Sequence, residues 1–208
     1  MPKHITLIRH GESQHHVKGL TGGWTDTGLT EQGNRQAEAA ARELATWDLG
    51  TGVELISSDL LRARETTEAI TRQLKGIAPV YYSELRELNN GRAKGLTREA
   101  AKKIALPVTT PTCDWIPYPE AENWRMLSAR AWGFMDKFMR ASKTDYLLVV
   151  SHGLAIEGLV QWWLGLGEDY WNNVSFEFDC ASFTKLTVNK HGQRVITKLN
   201  DTAHLKGI

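Results

Sequence analysis

Six consecutive residues, Tyr146-Leu147-Leu148-Val149-Val150-Ser151, form a run that is apolar almost throughout. Side chains of a strand alternate between two faces, so a strand that is apolar on both must be covered on both. A sheet with one wet face is therefore excluded at this point, and helices are required above and below it. The remainder of the chain supplies them. Residues 4–8, 53–57 and 79–82 read as further strands from their β-branched and apolar content. Residues 30–47 read as a helix capped by Thr30, and residues 58–74 as a helix capped by Ser58 or Asp59. A short helix over 97–104 starts at Thr97. Four prolines make 105–119 a loop. Residues 120–140 read as a long amphipathic helix with Trp124, Leu127, Ala131, Phe134 and Phe138 on its apolar side, and 153–164 as the helix after the buried strand. Two final strands, 183–188 and 195–199, flank Asn189-Lys190-His191-Gly192, a hairpin signal.

Strands alternating with helices imply an α/β fold: a single-domain three-layer α/β/α sandwich with a mostly parallel central sheet. A chain of 208 residues fits one domain, residues 1–208, without linker or repeat. Lys plus Arg number 25 against 24 Asp plus Glu, a net charge of +1 with no basic block, which speaks against a nucleic-acid partner. Cys113 and Cys180 are too few for a disulfide framework. The longest apolar-rich stretch, 153–167, contains Glu157 and Gln161 and falls short of the roughly 20 residues of a membrane span. The apolar stretch at the N-terminus stops at Arg9, too early for a signal peptide. No membrane partner and a cytoplasmic location are the expectation. Trp162 and Trp163 suit core packing or, on an exposed helix face, a homodimer contact.

Ligands of such sheets collect at the carboxyl ends of the strands. After the first strand comes Arg9-His10-Gly11-Glu12-Ser13; after the second, Ser57 to Arg64, including Arg62; after the third, Glu84, Arg86 and Glu87; after the buried strand, Ser151-His152-Gly153. Two histidines, several arginines and two glutamates thus converge on one edge. Guanidinium forks match phosphate oxygens. A histidine among arginines is held neutral by like charge and is then a nucleophile. A carboxylic acid can protonate a leaving oxygen. Gly11 and Gly153 permit close backbone approach. The set describes phosphoryl transfer through a phosphohistidine, and the absence of a Gly-rich Lys-Ser/Thr loop speaks against ATP. Arg64 rivals Arg62, and Glu84 rivals Glu87, on position alone.

The pentad Arg9-His10-Gly11-Glu12-Ser13 resembles the signature of the histidine phosphatase superfamily, which includes cofactor-dependent phosphoglycerate mutases. The resemblance continues in order through Gly23-Trp24-Thr25-Asp26 with Leu29, Thr30 and Gly33, through Ser58-x-Leu60-x-Arg62-Ala63-x-x-Thr66, and through Leu85-Arg86-Glu87 with Gly91, Gly95 and Leu96. Pro119-Glu120-Ala121-Glu122-Asn123 with Arg130 is a looser match; Val150-Ser151-His152-Gly153 and Asn200-Asp201 with His204-Leu205 complete it. The resemblance implies that His10 is the phosphorylated nucleophile, that Arg9 and Arg62 hold the phosphoryl group, that His152 stabilises the transition state, and that Glu87 is general acid and then base. It implies no metal and no cofactor. Phosphate or substrate contacts are expected from Gly153, Ser13, His15, His16, Thr21 and Gly22, with capping or turn roles as the alternative for Ser13 and Thr21. His15 and His16 stand where family members carry an aromatic residue and an Asn.

The expected activity is hydrolysis of a small phosphorylated metabolite. The alternatives are mutase-type phosphoryl transfer, a non-catalytic phosphate-binding module, and a metal site using His10, His15, His16 and His152. Glu87 and His152 lie 65 positions apart, leaving a small cap, residues 88–120 with the 13–28 loop. A site so open to water favours the phosphatase over the mutase, and the histidine spacing fits no zinc pattern.

Overall fold

The structure is a computed structural model and describes residues 2–50 and 52–208. In chain order its elements are β1 (His4–Arg9), α1 (Gln14–Val17), α2 (Glu31–Leu44), β2 (Val53–Ser58), α3 (Leu61–Gln73), β3 (Pro79–Tyr82), α4 (Arg98–Lys102), α5 (Trp124–Ala141), β4 (Tyr146–Ser151), α6 (Gly153–Leu164), β5 (Phe183–Val188) and β6 (Arg194–Asp201), with four short 3-10 turns. The six strands form one sheet in the order β3-β2-β4-β1-β5-β6. The first four are parallel; β5 runs antiparallel to β1 and pairs with β6 as a hairpin. The expected α/β/α sandwich is the observed architecture.

Alternation along the central strands explains the three layers. Ile5 and Leu7 of β1, Ile56 of β2 and Leu147 and Val149 of β4 face one side, where they pack with Ala131 and Met135 of α5 and Ile156 and Leu159 of α6. Ile8, Leu55, Leu148 and Val150 face the other, against Ala37 and Ala41 of α2 and Ala63 and Ile70 of α3. The run read as doubly buried is doubly buried: Leu147 through Ser151 show no more than 0% exposure. Among the described residues, no helix is long and apolar enough to cross a membrane.

Two local expectations are corrected. α3 starts at Leu61 rather than at Ser58; neither Ser58 nor Asp59 is its N-cap. Ser58 is the last residue of β2, and the exposed first turn of α3 is satisfied from elsewhere, by Asp26 Oδ1 accepting the Leu61 N–H at 2.7 Å. α5 starts four residues later than expected. Glu120 sits at φ 65°, outside the helical region, and Asn123 caps the helix by accepting the Met126 N–H at 2.9 Å. Its buried stripe is Leu127, Ala131, Met135 and Met139, with Phe134 and Phe138 only partly buried beside it. The flexible methionines fill the sheet face, and the phenylalanines pack sideways on Tyr82. Trp162 and Trp163 do not form an exposed face: they are 8% and 0% exposed, with indole N–H groups on Asp136 Oδ1 and the Val195 carbonyl. Of the two roles expected for this pair, core packing is the one observed.

The loop after β1 is pressed against the start of α2. A Cβ on Gly11 would lie 2.4 Å from the Gly33 carbonyl oxygen, and one on Gly33 would lie 1.9 Å from the Glu12 carbonyl oxygen. Both glycines are required by this backbone contact. At Gly153 the nearest atom to a built Cβ is Arg9 Nε at 3.7 Å, an ordinary contact, so close approach is needed at Gly11 and not at Gly153.

Candidate active site

Parallel registration brings the chemistry together. Arg9 stands opposite Ser151 on β4, and Ser57 opposite Val150. The residues just beyond these positions, His10, His152 and Ser58, therefore emerge at one level of the sheet edge. The His10 N–H donates to the Ser151 carbonyl at 3.0 Å, tying the two histidine-bearing strand ends together.

His10 is 2% exposed. Its Nδ1 lies 2.7 Å from the Gly11 carbonyl, which can only accept, so Nδ1 carries the ring proton. Nε2 is then the basic nitrogen, and it accepts from Arg62 Nε at 3.1 Å. Burial first, and then Arg62, His152 and Arg9, hold the imidazole well below the usual histidine range, so it is neutral. A neutral ring with a fixed tautomer and a directed lone pair is a nucleophile.

His152 caps α6 and is wholly buried. Ser58 Oγ accepts the Leu60 N–H at 3.3 Å, which leaves its own proton for His152 Nε2 at 2.8 Å. His152 is also held neutral, by burial and by Arg62. Its proton therefore sits on Nδ1, a buried donor with no partner among the described residues.

Two guanidiniums flank the histidines, and neither has a carboxylate ion-pair partner among the described residues. Arg62, 1% exposed, is fixed by the Thr25 carbonyl at 2.9 Å and the Gly23 carbonyl at 2.8 Å. Burial lowers its pKa to about 10, which leaves it charged at neutral pH. Arg9 donates through Nη1 to the Phe178 carbonyl, while its buried Nε is unpartnered. Arg64 instead lies over the Tyr81 ring at 4.6 Å, away from the site.

His16 adds a further donor. The Ser13 N–H donates to its Nδ1 at 3.0 Å, placing the ring proton of the neutral form on Nε2. That nitrogen faces Arg9 Nη2, itself a donor, at 3.4 Å. Two facing donors are satisfied together only by a shared acceptor between them. The His16 ring is parallel to His10 within 17°, at 5.9 Å, and His15 lies beside it at 3.9 Å. Burial lowers His15 to about 3 and His16 to about 4.

Glu87 reaches the same edge. Its carboxylate accepts the backbone N–H groups of Leu154 and Ala155 at 3.2 Å each, at the start of α6, and that of Leu88 at 2.9 Å. Glu84 takes part in no such contact; it accepts from Ser83 Oγ on the exposed side. The segment carrying Glu87 is braced from behind. Arg130, paired with Glu122 at 2.7 Å, donates to the carbonyls of Glu84, Arg86 and Glu87. The Trp24 indole donates to the Glu87 carbonyl at 2.8 Å.

The other expected contacts face differently. Ser13 Oγ is buried against Thr27 and the Gly28 carbonyl, 2.9 Å away. Thr21 Oγ1 bonds the Ala93 carbonyl at 2.5 Å and Asn90 Nδ2 at 3.0 Å. Both hold the 13–28 loop in place. Gly22 lies beside His15: a Cβ there would come within 3.3 Å of His15 Nε2. Sequence reasoning gave Ser58 a cap and assigned no task to Glu122, Arg130 or the stretch Ser175 to Asp179, which walls the site. For Ser58, aligning the ends of adjacent parallel strands was the available signal.

Four neutral histidines make stability depend on pH. Below about 6.5 the unfolded chain binds protons that folded His10, His15, His16 and His152 refuse, so stability is full above that pH and falls as pH drops toward 4. The slope approaches about 1.4 kcal/mol per pH unit for each titrating histidine. Urea unfolding should give a markedly lower free energy at pH 5 than at pH 7; equal values would contradict the neutral cluster.

A family model for the histidine phosphatase superfamily, branch 1, matches residues 5–202. A 2,3-bisphosphoglycerate-dependent phosphoglycerate mutase of Parvibaculum lavamentivorans is 31% identical over 168 residues, 77% of this chain and 79% of that protein. The mycobacterial glucosyl-3-phosphoglycerate phosphatase superposes with a TM-score of 0.79 at 24% identity, covering 96% of this chain and 100% of that one. The α-ribazole phosphatase of Shigella flexneri gives 0.78 at 24% identity, covering 95% and 96%.

Proposed function

This chain belongs to the histidine phosphatase superfamily, and on that premise we propose that it is a phosphomonoesterase for a small phosphorylated metabolite, working through a phosphohistidine on His10. One observation carries the reading. Two guanidiniums without carboxylate partners, an orphaned buried donor on His152 and two facing donors on Arg9 and His16 surround the lone pair of a neutral histidine. Several donors gathered around one lone pair suit a phosphoryl group.

In the first step His10 Nε2 forms a bond to phosphorus as the bond to the alcohol oxygen breaks. Glu87, as general acid, gives a proton to that oxygen. Arg62 passes its N–H from Nε2 to a phosphoryl oxygen; Arg9, His16 Nε2 and His152 Nδ1 take the others, and the spread charge of the transition state is met by fixed donors. In the second step water attacks phosphorus, Glu87 accepts its proton, the P–N bond breaks, and phosphate leaves with His10 restored. No metal enters this scheme, because side-chain cations supply the charge.

The alternative, return of the phosphoryl group to another hydroxyl, is favoured by the mutase relative at 31% identity. The small cap, residues 88–120 lying on the 13–28 loop through the Thr21 N–H to Leu96 carbonyl and Arg98 N–H to Gly19 carbonyl bonds, supports hydrolysis instead.

The test is to trap the intermediate. A radiolabelled phosphomonoester, quenched in base, should leave label on His10 that survives base and is lost in acid, as a phosphoramidate is. Turnover should release inorganic phosphate, persist in EDTA and stop with vanadate. Label lost in base, or activity abolished by EDTA, would sink the scheme; label retained on a product hydroxyl would establish the mutase.

A further inference from the structure

Beside the phosphoryl site, on the Glu87 side, the structure holds a cavity of about 530 Å³. Arg9, Glu87 and Gly153 form its inner end, so an alcohol leaving group that takes its proton from Glu87 points into it. Its walls are unlike the donor-rich phosphoryl site. Glu157, one turn beyond Gly153 on α6, is 6% exposed and lines the cavity. It accepts the Phe176 N–H at 3.1 Å and has no cationic partner among the described residues. Glu177 and Asp179 stand at the rim, and Phe176 and Phe178 supply aromatic surface. The one cation present, Arg9, is turned to the Phe178 carbonyl and to the phosphoryl site.

A buried carboxylate without a counter-charge is costly unless a cation joins it. Phenyl faces beside carboxylates are the surroundings in which ammonium groups are bound. We propose that this cavity receives the alcohol half of the substrate and that this alcohol carries a cationic nitrogen: the substrate class is the phosphomonoesters of amino alcohols, with Glu157 as the principal ammonium partner and Glu177 as a second. This rests on the phosphatase reading and sharpens it. Desolvation raises the Glu157 pKa, with Glu87 and Glu177 adding to it; an ammonium beside it favours the ionised form.

The experiment compares kcat/KM for three esters of similar shape, aminobutyl, pentyl and carboxybutyl phosphate, with p-nitrophenyl phosphate as a general reporter. Wild-type enzyme should prefer the amino ester to pentyl phosphate roughly tenfold or more, the scale of a hydrogen bond to a charged group, and should disfavour the carboxylate. In Glu157→Gln the amino-to-pentyl ratio should fall toward one. Glu177→Gln, at the rim, should lower it in part and serves where the buried substitution does not fold. A wild-type enzyme that cleaves p-nitrophenyl phosphate but handles pentyl or carboxybutyl phosphate as well as the amino ester overturns this inference and leaves the phosphatase reading standing. An unchanged ratio in both variants also overturns it. Failure to cleave any ester strikes the phosphatase reading and the inference with it.

Discussion

His10→Ala should lower turnover by about five orders of magnitude, the scale on which enzymes lose rate when a covalent nucleophile is removed. The structure gives the reason in terms of one atom. Nε2 is the unprotonated ring nitrogen of His10, because Nδ1 carries the proton that it donates to the Gly11 carbonyl. Neither His152 nor His16 can substitute. Nε2 of His152 accepts from Ser58 and its other nitrogen carries the proton, while Nδ1 of His16 accepts from Ser13. The variant should keep its fold and still bind phosphate, because Arg9, Arg62 and His152 remain. Calorimetry with inorganic phosphate and a steady-state assay separate the two properties. Appreciable turnover in a folded, phosphate-binding His10→Ala enzyme would refute the assignment of the nucleophile.

Glu87→Gln should slow hydrolysis by roughly two to four orders of magnitude for alkyl esters, the usual range for general acid–base catalysis. The loss should depend on the leaving group. A nitrophenolate needs little help from a proton, so p-nitrophenyl phosphate should suffer least and alkyl phosphates most. Glutamine preserves acceptance of the Leu154 or Ala155 N–H through its carbonyl oxygen, which keeps the start of α6 supported. A loss equal for all leaving groups would mean that Glu87 acts through its contacts with α6 and not by proton transfer.

The parts of this fold that sequence reveals are those with a strictly local signal. The strand Tyr146–Ser151 was legible because apolarity on both faces has one structural meaning, and the order of strand ends placed Arg9, His10, Arg62 and His152 on one edge. The features that escaped depend on distant partners. The α5 stripe turns to Met135 and Met139 because Tyr82, far along the chain, takes up Phe134 and Phe138. The first turn of α3 needs no capping side chain of its own because Asp26 arrives from another loop. Trp162 and Trp163 fit core packing or an exposed helix face equally until β6 is folded over them. Likewise, the tautomers of His10, His16 and His152 are set by backbone and hydroxyl groups whose placement no spacing rule contains. Arg64 and Arg62 differ by two positions on a helix, which decides burial but names neither as the buried one until the sheet is placed.

The strand order has a kinetic meaning. β4 lies between β1 and β2, so the first two strands made are not neighbours and cannot pair directly. Until residues 146–151 are present, the ends of β1 and β2 have no strand between them, and His10 and Arg62 meet only through side-chain and loop contacts. Such long-range closure makes the topology slow to form. It also ties the site to completion: a chain ending before β4 lacks His152 and the Ser151 carbonyl that holds the His10 N–H, so the proposed phosphoryl site is assembled only when the sheet closes around its last parallel strand.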